Sequence, residues 1–168
     1  MGNSTLSHRG LPITAWGFTG YEGSSDGGRS AFKRILLAVS RSRSSSNAVA
    51  LVAAMARVQP SEVFVIHLSE RLFMGRCYWD LESPEDAQQL IKDVRAELER
   101  LDIPVETWTD RSLANVTSRR IVDAAADLNA DLIVIGRPRG KSSLGAVLGG
   151  SVSHKVLHKS RVPVLVVP

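Results

Sequence analysis

The chain has 168 residues, 43% of them hydrophobic and 23% charged, which suits one soluble globular domain. Lysines and arginines exceed acidic residues by 21 − 17 = +4, enough for an anionic ligand but too little to argue for nucleic acid. The single cysteine, Cys77, excludes an intrachain disulfide and fits a reducing cytoplasm; no apolar run reaches membrane-spanning length, and the N-terminus lacks a signal-peptide pattern.

Residues 1–31 read as a disordered tail: seven of the 13 glycines fall there, with few aliphatic residues. Trp16, Phe18 and Tyr21 stand out in it. Loose packing against the domain is the expected role for them, with partner binding the alternative. The domain proper, 32–168, opens with RILLAVS (34–40), a continuous apolar run as expected of a strand buried on both faces. A polar loop, RSRSSS, leads to NAVALVAAMARV (47–58), a deeply placed helix. SEVFVIHL (61–68) is the second strand, and His67 near its end reads as a hydrogen-bonded near-core residue.

Residues 69–82, SERLFMGRCYWDLE, carry no periodicity and are expected to be irregular, covering the sheet edge, with a lid over a ligand as the alternative. Ser83 then reads as an N-cap, with Pro84 at the first helical position. Ala87, Leu90, Ile91, Val94, Leu98 and Leu101 mark the inner face of that helix, which ends before Pro104. PVETWT (104–109) is a short third strand, 116–128 a third helix, and ADLIVIG (130–136) a fourth, buried strand. A loop rich in glycine, serine and arginine follows, then a short helix from Ser151 to His158 and a fifth strand over 162–167. This alternation implies a doubly wound α/β fold: a five-stranded parallel sheet, order 3-2-1-4-5 in chain sequence, with helices on both faces.

In such sheets ligands sit beyond the carboxyl ends of the strands where the winding reverses, here between the first and fourth strands. The loops 40–46 and 136–151 meet there, and they hold the polar, small-residue segments. Gly136 leaves room for a ligand to approach the backbone, and Gly140 permits positive φ. Gly150-Ser151 starts a helix whose free N–H groups favour an anion. The Ser151 hydroxyl can cap that helix or bind a phosphate oxygen, while Arg137, Arg139 and Lys141 add positive charge. Gly136-Arg-Pro-Arg-Gly140-Lys141-Ser142 is not a Walker A loop, because it has three residues between its glycines instead of four and the helix comes later.

The element order and the spacing of Gly140, nine residues, Gly150-Ser151 resemble the universal stress protein family (the universal stress protein A-like domain). GSVSHKVLHKSRVPVLVVP is similar to its helix and final strand, and ILLAVS, FVIHL and ADLIVIG to three of its strands, so the resemblance covers 33–167. It implies an adenine nucleotide alpha hydrolase-like fold and a homodimer pairing through Val162–Val167. It further implies ATP binding, with Mg: Ser40 and Leu68 flanking the adenosine, Gly136, Gly140, Gly150 and Ser151 holding the phosphates, and Val152 lining the site. Two departures stand out. Arg137-Pro138-Arg139 is one residue longer than the family's spacing, and Ser40 stands where nucleotide-binding members have aspartate, so weaker ATP binding is expected.

The expected role is an ATP-binding stress-response sensor or regulator without catalytic residues, hydrolysing ATP very slowly at most. One alternative is a dimeric interaction module with a degenerate phosphate loop. Another is RNA or an acidic partner bound through Arg41, Arg43, Arg137, Arg139 and Lys141, which the small charge excess disfavours. His154 and His158 have the i, i+4 spacing of zinc ligands, but without a third ligand in view no metal site is assigned, and His158 is read as favouring the helix C-terminus through its dipole.

Overall fold

A computed structural model describes residues 32–137 and 151–168 of the chain. The elements are β1 (Arg34–Val39), α1 (Arg43–Val58), β2 (Glu62–Met74), β3 (Cys77–Asp80), α2 (Pro84–Glu99), β4 (Val105–Leu113), α3 (Thr117–Asp127), β5 (Leu132–Gly136), α4 (Val152–Lys159) and β6 (Val164–Val167). The expected N-terminal tail lies outside the described residues. Among those described, no helix is long and apolar enough to cross a membrane.

The five expected strands form a parallel sheet in the order β4-β2-β1-β5-β6, which is 3-2-1-4-5 when they alone are counted. β1 is paired on both edges, Leu37 facing Val65 on one side and Val134 on the other. Its side chains alternate between two apolar layers. Ile35, Leu37 and Val39 join one, with Val52 of α1 and Ile91, Val94 and Leu98 of α2. Leu36 and Ala38 join the other, with Ile121 and Ala124 of α3 and Val156 of α4. The helices thus cover opposite faces in pairs.

The segment 69–82 differs from its expected irregular state. β2 continues to Met74, turns through Gly75-Arg76, and returns antiparallel as β3. Gly75 supplies the positive φ, +65°, that a two-residue hairpin loop requires at its first central position. The pattern escapes notice because this hairpin buries almost nothing, and Phe73, Met74, Tyr78 and Trp79 are all exposed. Cross-strand contacts hold it instead: the Phe73 and Tyr78 rings lie 5.1 Å apart and Arg71 Nε is 2.9 Å from Asp80 Oδ1. The sheet is therefore mixed, with a sixth strand. β4 also outruns its expected end at 109, because the prolonged β2 gives it a partner as far as Arg71, which faces Leu113.

One helix boundary also shifts. α1 begins at Arg43 because Ser42, inside the serine-rich loop, takes the N-cap position and accepts a hydrogen bond from the Ser45 amide. α2 begins as expected, Ser83 accepting from the Asp86 amide with Pro84 in the first turn. Asp131, between α3 and β5, ties the sheet's lower end: its Oδ2 accepts from the Lys33 and Arg34 amides at 2.8 and 2.9 Å.

Glu106 on β4 faces Phe64 across the sheet. Burial, and then the Glu62 carboxylate, push its carboxyl above the usual range. A carboxyl raised by folding favours the folded state below its unfolded pKa, and that contribution is lost as pH rises through the folded value. The charged form therefore opposes folding at neutral pH. Glu106→Gln should raise the urea midpoint at pH 7, and the gain over wild type should vanish as pH falls to about 4, near the ordinary glutamate value. Urea unfolding at a series of pH values checks this.

Candidate functional site

The carboxyl ends of β1 and β5 meet at the reversal of winding. From β1 the chain leaves through α1 toward β2 on one face; after β5 it reaches β6 through α4 on the other. Both helices begin at this rim, each with a serine N-cap, Ser42 and Ser151. Two positive helix ends therefore point toward one crevice between β1 and β5.

The first rim loop is lined with hydroxyls. The Ser40 amide donates to Ser45 Oγ at 2.9 Å. Ser40 Oγ lies 3.1 Å from Ser42 Oγ, which lies 3.1 Å from Ser44 Oγ. Ser40 itself is exposed, free to meet a ligand, while Ser44 and Ser45 are buried. Opposite, Gly136 closes β5, with Val167 beside it in the sheet.

The space expected for a ligand at Gly136 is occupied by protein. A Cβ there would stand 2.7 Å from Ser44 C and Ser45 N and 2.9 Å from Ser44 O. The glycine is required because the first turn of α1 packs directly on the end of β5. At Ser151 the two alternatives resolve toward capping: its Oγ accepts from the His154 amide at 3.3 Å and lies 3.1 Å from Ser153 Oγ. Val152 starts α4 and packs partly against the second apolar layer. Leu68 sends its side chain into the same layer, one residue beyond the last pairing of β2 with β1 at His67. The structure thus brings Ser40 and Gly136 to one rim with the N-terminus of α4. Gly140, Gly150, Arg139 and Lys141 lie outside the described residues.

A polar chain beside this rim was only partly legible in the sequence. His67 is buried as expected, though within β2 instead of at its end. Its Nδ1–H donates to the Val39 carbonyl at 2.9 Å, and its Nε2 lies 2.5 Å from Glu82 Oε2. Neither a carbonyl nor a carboxylate can donate, so a hydrogen bond between Nε2 and Oε2 requires a proton on one of these two atoms. The other carboxylate oxygen of Glu82 lies 2.9 Å from Arg41 Nε, and Arg41 Nη2 lies 2.8 Å from Asp86 Oδ1. Ser83, and then Arg41, hold the Asp86 carboxyl below its ordinary range. Glu82 belongs to the segment without periodicity, and its partners are 15 and 41 residues away in the chain. Only His67, placed on a strand, signalled this constellation in advance.

Among the described residues, no three or more His, Cys, Asp or Glu side chains converge as a metal site. At the rim, Glu82 and Asp86 are both engaged by Arg41.

The sequence pattern of the universal stress protein family matches residues 31–168. Universal stress protein Sll1654 of Synechocystis is 33% identical over 149 residues, 87% of this chain and 92% of that protein. Among solved structures, MJ0577 of Methanocaldococcus jannaschii superposes with a TM-score of 0.63 at 25% identity, covering 82% of this chain and 96% of that one. A universal stress protein in complex with cAMP (TM-score 0.61, 20% identity, 82% and 98% covered) and one from Archaeoglobus fulgidus in complex with dAMP (0.58, 20%, 82% and 99%) share the fold.

Removing the Glu82 carboxylate would leave His67 Nε2 without its partner and Arg41 with Asp86 alone. Glu82→Ala should cost about 1–3 kcal/mol, whereas Asp80→Ala, on the exposed hairpin, should leave stability nearly unchanged. Urea unfolding of the two variants side by side is the measurement.

Proposed function

The chain belongs to the universal stress protein family, and on that footing we propose that it binds an adenine nucleotide, ATP with Mg foremost, in the crevice between β1 and β5. The convergence of two serine-capped helix N-termini on that crevice carries the proposal. Free N–H groups and aligned peptide dipoles favour phosphate there, and relatives of this fold are in complex with cAMP and dAMP. In this reading the adenosine lies against the exposed Ser40 and the backbone beside Leu68, and the phosphates lie toward Gly140, Gly150 and the α4 N-terminus with Val152 alongside. With Glu82 and Asp86 both engaged by Arg41, the bound nucleotide serves as a signal and is hydrolysed very slowly at most.

The protein acts, on this view, as a cytoplasmic stress-response sensor or regulator working as a homodimer. β6 is the last strand of the sheet and, among the described residues, pairs only with β5. Its outer edge can therefore receive the same strand of a second copy. The other reading, a dimeric module that binds no nucleotide, draws on Ser40 and on the lengthened Arg137-Pro138-Arg139.

Calorimetric titration with Mg-ATP and with AMP separates the two, and absence of heat at millimolar nucleotide would leave only the interaction module. Ser40→Asp should tighten ATP binding about tenfold, because a carboxylate accepts a hydrogen bond more strongly than a hydroxyl by about 1–2 kcal/mol. Equal affinity in wild type and variant would remove Ser40 from the adenosine contact.

A further inference from the structure

α4 is anchored by Ser153 and Val156, both buried, so its outward face is fixed. On that face His154 and His158 are exposed and meet. Their ring centroids are 4.4 Å apart, the planes inclined at 60°, and the two Nε2 atoms lie 3.2 Å from each other. Two neutral imidazoles can hold this approach with one N–H pointing at the other ring's lone pair. The same spacing is also the bite of a metal chelate. With metal–nitrogen bonds of about 2.0–2.1 Å, two cis ligands stand about 2.9 Å apart at a right angle and about 3.4 Å apart at the tetrahedral angle. The observed separation falls between these limits. Small rotations of the exposed rings suffice to turn both lone pairs toward one ion, and no core residue has to move.

We propose that His154 and His158 form a two-nitrogen surface chelate for a divalent transition-metal ion of the Zn²⁺, Cu²⁺ or Ni²⁺ class, with water completing the coordination. Imidazole nitrogens suit these ions, whereas Mg²⁺ and Ca²⁺ require oxygen ligands. The site is therefore chemically distinct from any Mg that accompanies a nucleotide. Lys155, Lys159 and Arg161 lie close by in the sequence. Their positive charge opposes any divalent cation equally, so the preference for these ions rests on the imidazole nitrogens. A third protein ligand is unnecessary where solvent can supply the rest, which is why the missing third residue in the sequence does not decide the matter.

The chelate would join two successive turns of an eight-residue helix. The His154 amide is also the donor that holds the Ser151 cap, so the bound ion fixes the turn carrying that cap.

The test uses the full-length, tag-free chain, stripped with a chelator and titrated with Zn²⁺ by calorimetry at pH 7.5 in the absence of nucleotide. One ion should bind per chain. His154→Ala and His158→Ala should each weaken binding at least about tenfold, since each removes the intramolecular second contact. Cys77→Ser, at the hairpin, should leave affinity unchanged. Cu²⁺ spectra should show two nitrogen ligands in wild type and one in either histidine variant. No binding at millimolar Zn²⁺, unchanged affinity in the histidine variants, or loss of binding in Cys77→Ser would overturn the proposal. Because nucleotide is left out, none of these results bears on the nucleotide reading.

Discussion

The double burial of β1 is the constraint on which the other elements depend. A strand apolar on both faces, and paired on both edges, demands cover above and below and a neighbour on each side. Parallel neighbours need crossover helices, and right-handed crossovers running in opposite directions must take opposite faces. α1 and α4 therefore start from adjacent strand ends and diverge. The crevice between them is a product of topology before any polar residue is considered. What the local sequence adds is the serine caps, the serine hydroxyls beside Ser40, and a glycine where the backbones crowd.

Gly136 shows how packing and site are joined. In the sequence, a glycine at a strand end suggests access for a ligand. In the structure, the backbone of Ser44 and Ser45 fills that room. Both readings follow from the missing Cβ, and only the third dimension decides which neighbour makes use of it. The contact also sets how deeply α1 sits, and hence where its N-terminus lies relative to β5. The residue shapes the crevice by placing one of its walls.

The sequence made the parallel sheet legible because its signal is redundant. Three buried strands read as apolar runs, helices repeat at three- and four-residue steps, and Ser83-Pro84 punctuates α2. The hairpin was hidden because its two strands bury almost nothing, so no alternation marks them. The helix start at Arg43 was hidden because a serine run suits a loop and a first helical turn equally well. The crevice could be located from strand order alone. The chain of His67, Glu82, Arg41 and Asp86 could not, since it depends on a backtracking segment whose path only the hairpin explains.

That hairpin has a mechanical consequence. At Arg71, β2 still pairs with β4 on one edge and already pairs with β3 on the other. β3 therefore lies on the edge that β1 occupies lower down, above the point where β1 ends. The return to α2 passes through Glu82, which is fastened to His67 and Arg41. The ribbon is thus a cantilever, with its tip in water and its root clamped at the rim. Few apolar contacts oppose bending at the tip, whereas at the root displacement would have to break the contacts of Glu82 with His67 and Arg41.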